Sequence, residues 1–535
     1  ASLSLDIFTT LAKAEFCNGN VTEVGKYVDK ILNQNLPIKE KADAFCVKIS
    51  SCIFLEGEFA NGMDVGLKAL LLLGVEFPKK ITKLTHAREI IKTKYMLKGL
   101  CIDGLSHHPT MEDENRLIAM NIMDRLTLSA YAANPYLFVL IVLKMVQWSV
   151  SYGVSKYSSM AFVCYGLLLC GVMSDIEGGD KFAKAGLSIL ERFGANDMES
   201  KVLFMYAGFV SHWTEPGHLT YKYFLRAYEV GMQTGNIDWA MFSLRTSNNT
   251  ALMIGKPLAC IEKECKSCIE LMHEYKQKMT TNLLRPVWQF VLNLMGESDD
   301  PKVLSGSVMQ QEELMKNCNQ NEFRALRNVT LFYRLWAAFC FEDFDLAGKL
   351  VWDIQDINQT NRSTTLVWRC AFLEGLVAYT LFQRNKSYKW KAHATKKTSK
   401  VREWLKKGTV DCNHLLLILE AEMAVLKGEK VLAKQKYDAA ITTSARAGFI
   451  HDRALANERA GEYMLESGDK YLAFHYLSSA IQFYSKWGAK AKVEHLLYKH
   501  QNLLSEYPTS VIDKRIERRQ TWIISNRRGS FIRLN

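Results

Sequence analysis

The stretches AEMAVLKGEKVLAKQKYDAA (421–440) and GEYMLESGDKYLAFHYLSSA (461–480) decide the fold. Laid over one another at an offset of 40 residues, Ala421, Ala424, Gly428, Ala433, Tyr437 and Ala440 fall on Gly461, Met464, Gly468, Ala473, Leu477 and Ala480. Each stretch reads as two antiparallel helices joined by a short turn. Gly428 and Gly468 end the first helix by entering the left-handed region at little cost. The acid that follows, Glu429 or Asp469, is placed to cap the second helix. A small residue at 421 or 461 lets the first helix approach its partner. Ala433 or Ala473 answers it from the second helix, and Ala440 or Ala480 meets the next unit. Ala473, Leu477, Ala480 and Tyr484 share the spacing of one helix face.

The same turn recurs outward from this pair. Gly19-Asn20, Gly57-Glu58 and Gly235-Asn236 each pair a glycine with an amide or acid, and five residues after each glycine stand Val24, Gly62 and Ala240. A recurring helical pair of this size is the tetratricopeptide (TPR) arrangement, slightly longer than its usual period of about 34 residues. In the middle of the chain, Gly166, Leu169, Gly178, Phe182 and Ala185 follow the template loosely. Leu335, Ala338, Ala347, Val351 and Ile354 follow it without glycines. No segment alternates with period two, so no strands are expected. The fold class is therefore all-α, a TPR-like α-solenoid of roughly ten to thirteen hairpins. Breaker-rich stretches at Asp103–Asn115, Gly296–Ser307, Ile357–Thr364 and from Arg384 onward suggest the divisions. We expect N-terminal hairpins over 1–106, a central array over 112–295, a C-terminal array over 302–504, and a basic tail or linker over 505–535.

Composition agrees with this reading. Only 9 of 535 residues are proline, and 48% are hydrophobic, which favours a large, mostly helical core. The net charge of +12 is local. Between Arg384 and Lys407 ten Lys/Arg face one acid, and between Asp513 and Arg533 seven face two, so the remainder is near −2. This is a neutral body with two basic segments. The 13 cysteines show no framework and mostly sit among apolar neighbours, which points to a reducing, cytoplasmic setting. Six N-x-[ST] patterns, with no leader before them, read as chance. The run Leu137–Leu143 is too short for a membrane span and reads as a buried helix.

No catalytic signature emerges. Gly25-Lys26, Gly255-Lys256 and Gly348-Lys349 lack the glycine spacing and hydroxyl of a phosphate loop. The kinase motifs are missing as well. Cys260, Cys265, Cys268 and His273 spread over more than one helix face without a second ligand pair, so no metal and no cofactor are expected. The segment 386–407 interleaves Lys389, Lys396, Lys397 and Arg402 with Trp390 and Trp404. It is the candidate partner-binding surface, with nucleic acid or an anionic surface as one alternative and a solvated helix face as the plainer reading.

One resemblance adds to this. Residues 453–461 (RALANERAG), Tyr476-Leu477, Ala480, Tyr484 and 487–493 (WGAKAKV) resemble the end of the TPR-like helical region of very large signalling proteins. So do 69–78 (ALLLLGVEFP), Ala130-Tyr131, Asn134-Pro135, Tyr152-Gly153-Val154-Ser155 and His212-Trp213. In that family a serine/threonine-kinase-like domain and an AAA-type ATPase precede the region. GAF or PAS sensors with a histidine kinase often follow. The resemblance runs from about residue 5 to about 500, matches worst over 300–410, and is carried by packing motifs. It implies a non-catalytic scaffold for protein partners or sibling domains, with kinase and ATPase activity elsewhere in a longer parent. An enzyme with an unrecognised site is the other alternative.

Overall fold

The computed structural model describes residues 2–78, 80–320, 324–354 and 357–506. Helix occupies 81% of the described residues, and among them the only bridge between extended segments is Thr110 with Val154. The basic tail expected over 505–535 lies almost wholly outside the described residues.

The turns form as their sequence dictates. Gly19, Gly57, Gly235, Gly428 and Gly468 all take positive φ, between 72° and 85°. The residues five positions on, Val24, Gly62, Ala240, Ala433 and Ala473, are all buried. Ala440 and Ala480 are fully buried too. Helices Asn413–Lys427, Lys430–Ala447, Ile450–Glu466 and Lys470–Trp487 pack in succession. A Cβ at Gly461 would stand 2.7 Å from Leu477 Cγ, so glycine there sets how closely the last two approach.

Two expectations need correction. Capping by the residue after the glycine holds at Asp469, which accepts from Leu472 N at 3.0 Å. Asn20, Glu58, Asn236 and Glu429 accept no such bond. Glutamate is one methylene too long for an easy return, and Asn236 donates instead to Asp197 O at 2.9 Å. The second correction is a register. In the hairpin Lys156–Gly171 with Ile176–Phe193, the turn is one residue longer, and Ser174 takes the left-handed conformation at φ 55°. The small residues at the crossing are therefore Gly179, Ala183 and Gly186, not Gly178, Phe182 and Ala185. A Cβ at Gly166 would meet Gly179 O at 2.6 Å, and one at Gly186 would meet Ser159 O at 2.6 Å.

The hairpin Arg324–Cys340 with Phe344–Asp353 keeps the expected register, with Glu342 left-handed at φ 58°. A non-glycine residue in that region costs about 1–2 kcal/mol. Both substitutes are followed by a working cap: Asp175 accepts from Gly178 N at 3.0 Å and Asp343 from Leu346 N at 3.1 Å.

Among the expected breaks, residues 103–107 form a 3-10 turn and 296–310 lack helix. The basic stretch is no break: Asn385 ends one helix and Tyr388–Lys406 is another. One hydrophobic cluster runs from Cys46 to Leu504, and a smaller one gathers Ala12, Val24, Val28, Ile31, Ala44 and Val47. The run 137–143 is buried throughout within the helix Pro135–Tyr152. That helix and Thr365–Asn385 are long and apolar enough to cross a membrane, but their apolar windows are 61% and 89% buried in the fold. Packed core helices behave in the same way.

Sequence-distant segments lock the coil. Trp487 donates from Nε1 to Lys256 O at 2.9 Å. Gly488 lies against Leu258, and a side chain at Gly255 would strike His451 Nδ1 at 2.6 Å. His212 and Trp213 both grip Ser363, through its carbonyl at 2.6 Å and its hydroxyl at 2.9 Å. The His-Trp pair is thus a packing clamp on a left-handed turn, since Ser363 has φ 59°.

Candidate functional site

The coil borders a partly open cavity of about 1760 Å³. Its wall draws on helices Glu114–Ala133, Ile237–Met253, Lys278–Met295 and Arg324–Cys340, and on the segments Ser51–Glu56 and Ala207–Ser211. The last two are π-helical, a conformation that appears mostly as local bulges and is frequent at functional sites. Sequence reasoning identified neither.

The floor is aromatic. The ring of half-buried Trp239 sits 6.0 Å from Phe54 and 5.5 Å from Phe204, and Phe242 lies 5.9 Å from Phe204. One helix carries Trp239, Phe242, Arg245, Thr246 and Asn249 to the wall, spaced as a helix face requires. Arg245 Nη2 donates to Thr246 Oγ1 at 2.9 Å, while its buried Nε has no partner. Burial pulls its guanidinium down to about 10. Asn249 Oδ1 accepts the Tyr333 hydroxyl, which fixes the amide. On the neighbouring helix Arg285 donates to Asn282 Oδ1 at 3.3 Å, and both line the same space. The acids Glu58, Asp64 and Glu313, which also border the cavity, are exposed.

A second feature is a ladder of buried charge through the C-terminal helices. Arg369 bonds Asp452 Oδ2 at 2.9 Å and lies 2.6 Å from Oδ1, while His414 donates to Oδ2 at 2.8 Å. Burial alone would raise the Asp452 carboxyl, but Arg369, His451 and His414 outweigh it and hold it far below the usual range. Glu422 receives the Tyr437 hydroxyl at 2.9 Å and Arg459 at 2.7 and 3.0 Å. Glu458 receives the Tyr484 hydroxyl at 2.7 Å and Lys492 at 2.6 Å. The pattern repeats along the solenoid. A carboxylate on one helix is answered by a tyrosine on the second and a cation on the third. These groups are paired with one another, which suits them to fixing helix register.

The basic helix Tyr388–Lys406 is placed differently from the cavity wall. Trp404 is buried against Trp213, with ring centres 5.7 Å apart. Trp390 lies against Trp352 at 5.3 Å, and Lys389 Nζ stands 4.0 Å over the Trp352 ring. Lys397 pairs with buried Glu374 at 2.7 Å and Arg402 with Glu420 at 3.0 Å. Lys396 stays exposed beside Tyr388 and Lys391. The cysteine group on Leu258–Glu274 divides in the same manner. Cys260 is exposed, while Cys265 and Cys268 are buried and both bond Asn248.

No protein-family model matches the chain. Among curated proteins, hybrid signal transduction histidine kinase G of Dictyostelium discoideum is 18% identical over 316 residues. That stretch is 54% of this chain and 9% of the relative, so the chain spans under a tenth of that protein's length. The likeness sets this all-α chain beside a signal-transduction protein.

Proposed function

We propose that the chain is a non-catalytic helical-repeat scaffold of a signal-transduction protein, TPR-like in architecture, whose partly open interior cavity holds a protein partner or sibling segment. The observation that carries this reading is the cavity. A space of about 1760 Å³ exceeds the ~300–1,000 Å³ of ordinary small-molecule sites and suits a polypeptide segment. Asp452, Glu342 and Glu462, the carboxylates held furthest below their usual range, are committed to ion pairs, and buried Asp238, raised to about 6, accepts from Gln277. The likeness to a histidine kinase supports the signalling setting, and the free thiols fit a cytoplasmic one. Any kinase or ATPase that the resemblance implies belongs, on this reading, to other parts of a longer polypeptide.

A paired experiment tests it. A photo-crosslinking residue at Phe54, inside the cavity, should label one defined polypeptide segment, mapped by mass spectrometry. The same residue at Lys396, on the outside, should not. Titration of the purified chain with labelled ATP and Mg²⁺ should show no saturable binding and no phosphate release, because a P-loop needs freed backbone N–H groups, a lysine and a hydroxyl together. Magnesium-dependent hydrolysis lost on mutating a residue of the chain would replace the scaffold with an enzyme.

A further inference from the structure

The cavity does more than offer space, because its charge is arranged. Arg245 sits in the wall with an unbonded, buried Nε, and only the neutral Thr246 hydroxyl meets its Nη2. Two buried guanidiniums elsewhere are answered by carboxylates, Arg369 by Asp452 and Arg459 by Glu422. A desolvated cation without an anion is costly unless something supplies one. One turn further along the same helix, Asn249 is held by Tyr333. In the other direction, Trp239 presents a half-buried ring over Phe54 and Phe204. Of the acids bordering the cavity, Glu58, Asp64 and Glu313 are exposed and half-buried Glu56 accepts from the Ser51 hydroxyl at 3.0 Å, so among the described residues no carboxylate pairs with Arg245. An unanswered guanidinium, a fixed amide and an apolar shelf on one helix face are complementary to an anion next to an apolar group.

Resting on the scaffold reading, we propose that Arg245 and Asn249 form an anion-anchoring subsite. It takes the carboxylate or phosphate of an extended polypeptide segment whose neighbouring apolar side chain lies on Trp239, Phe54 and Phe204. The size of the cavity favours a peptide over a free metabolite. A guanidinium recognises either oxyanion through its fork of donors. Arg285 and Asn282, on the helix Lys278–Met295, supply a second, weaker contact further along the segment.

The probes are four pools of 12-residue peptides, random except for a fixed Phe followed two positions later by Glu, phosphoserine, Gln or Lys. Binding to the full chain is read by fluorescence anisotropy at about 150 mM salt. The Glu or the phosphoserine pool should bind at least tenfold tighter than the Gln pool, and the better of the two identifies the anion. The Lys pool should bind weakest. Arg245→Gln should remove that preference, and Arg245→Lys should keep part of it. Asn249→Asp keeps the acceptor for Tyr333 and places a negative charge in the subsite. It should lose at least tenfold towards the acidic pools while gaining towards the Lys pool. That gain guards against a folding artefact, because a damaged cavity would lose every pool alike. If the Gln pool binds as well as the Glu and phosphoserine pools, the anion subsite is wrong while the scaffold reading stands. If no pool binds and the crosslinker at Phe54 labels nothing, both fall. If no pool binds but the crosslinker labels a segment, the anion subsite alone is overturned.

Discussion

The chain carries two surfaces that combine basic and aromatic residues, and they use them in opposite ways. The helix Tyr388–Lys406 is conspicuous in sequence, yet Trp404 and much of Trp390 are packed inward and Lys397 and Arg402 face carboxylates. The cavity face of Ile237–Met253 has one arginine among neutral neighbours, yet its indole ring is half exposed and its guanidinium is incompletely bonded. Charge density along a sequence therefore measures little about binding. What matters is whether the fold supplies each cation with a partner. Cations with buried partners should matter to stability, and those without should matter to ligands.

The sharpest break of that comparison is Arg369→Met. It leaves the Asp452 carboxylate in the core with only His414 as a hydrogen-bond donor, and removing one member of a buried pair costs roughly 3–5 kcal/mol. Urea unfolding should show a loss of that size with an unchanged slope, whereas Arg245→Gln should stay within about 1 kcal/mol of the parent. Equal losses in the two variants would erase the distinction between them.

The next effect tests the hairpin geometry on which both surfaces are built. Ala473 is fully buried where Lys470–Trp487 crosses its partner. Ala473→Leu should overpack the crossing and cost about 1–3 kcal/mol. At Ser174, where the turn lacks its glycine, Ser174→Gly should instead stabilise by up to about 1 kcal/mol by relieving the left-handed strain. Thermal melts that move both variants in one direction would contradict the turn assignment.

A smaller effect separates buried groups by pH. Burial lowers His451 to about 3 and His212 to about 4. An unfolded histidine titrates near 6.5, so below that pH the unfolded chain takes up protons that the folded chain does not. The stability present above pH 6.5 should therefore fall as pH drops towards 4, by about 1.4 kcal/mol per pH unit for each histidine. The urea midpoint measured at pH 7, 6 and 5 should show it. His451 stacks on Trp487 and neither ring nitrogen is hydrogen-bonded, so His451→Phe should shallow the slope with little change at pH 7. An unchanged slope would mean that His451 is not buried neutral.

These variants also mark what the sequence disclosed. The glycine turns and the alanines at 433, 440, 473 and 480 were legible because each has a steric role that few other residues can fill. The register around Gly166 was misread by one residue because a serine supplies the turn there, and no local pattern signals a left-handed serine. The cavity was hidden because Trp239, Arg245 and Asn249 look like any amphipathic helix, and only tertiary packing decides which face is left open. One signal was available. Residues 246–250, Thr-Ser-Asn-Asn-Thr, are five weak helix formers in the middle of a helix, a local cost that suggests those side chains have another use.

The smallest expected effect concerns the outer helix, and it decides whether the opening comparison holds. Lys391 and Lys396 are exposed beside Tyr388, and no carboxylate pairs with them among the described residues. Lys389 and Lys406 of this helix also lack a carboxylate partner among the described residues, but Lys389 stands over Trp352, and by the rule of partners Lys391 and Lys396 are an adjacent pair free to meet a ligand. They rest on a single exposed ring, without a groove to follow a phosphate backbone. Continuous tracking of nucleic acid needs a basic path together with several stacking platforms. The double variant Lys391→Gln, Lys396→Gln should therefore change stability by no more than about 0.5 kcal/mol. It should also leave the binding of acidic peptides within twofold. A labelled 20-nucleotide RNA should bind the parent chain only weakly, with an affinity that collapses between 50 and 200 mM salt, as purely electrostatic contact does. Saturable RNA binding that survives 200 mM salt and disappears in the double variant would move the partner surface from the cavity to the outer helix. Sequence density would then have been the better guide after all.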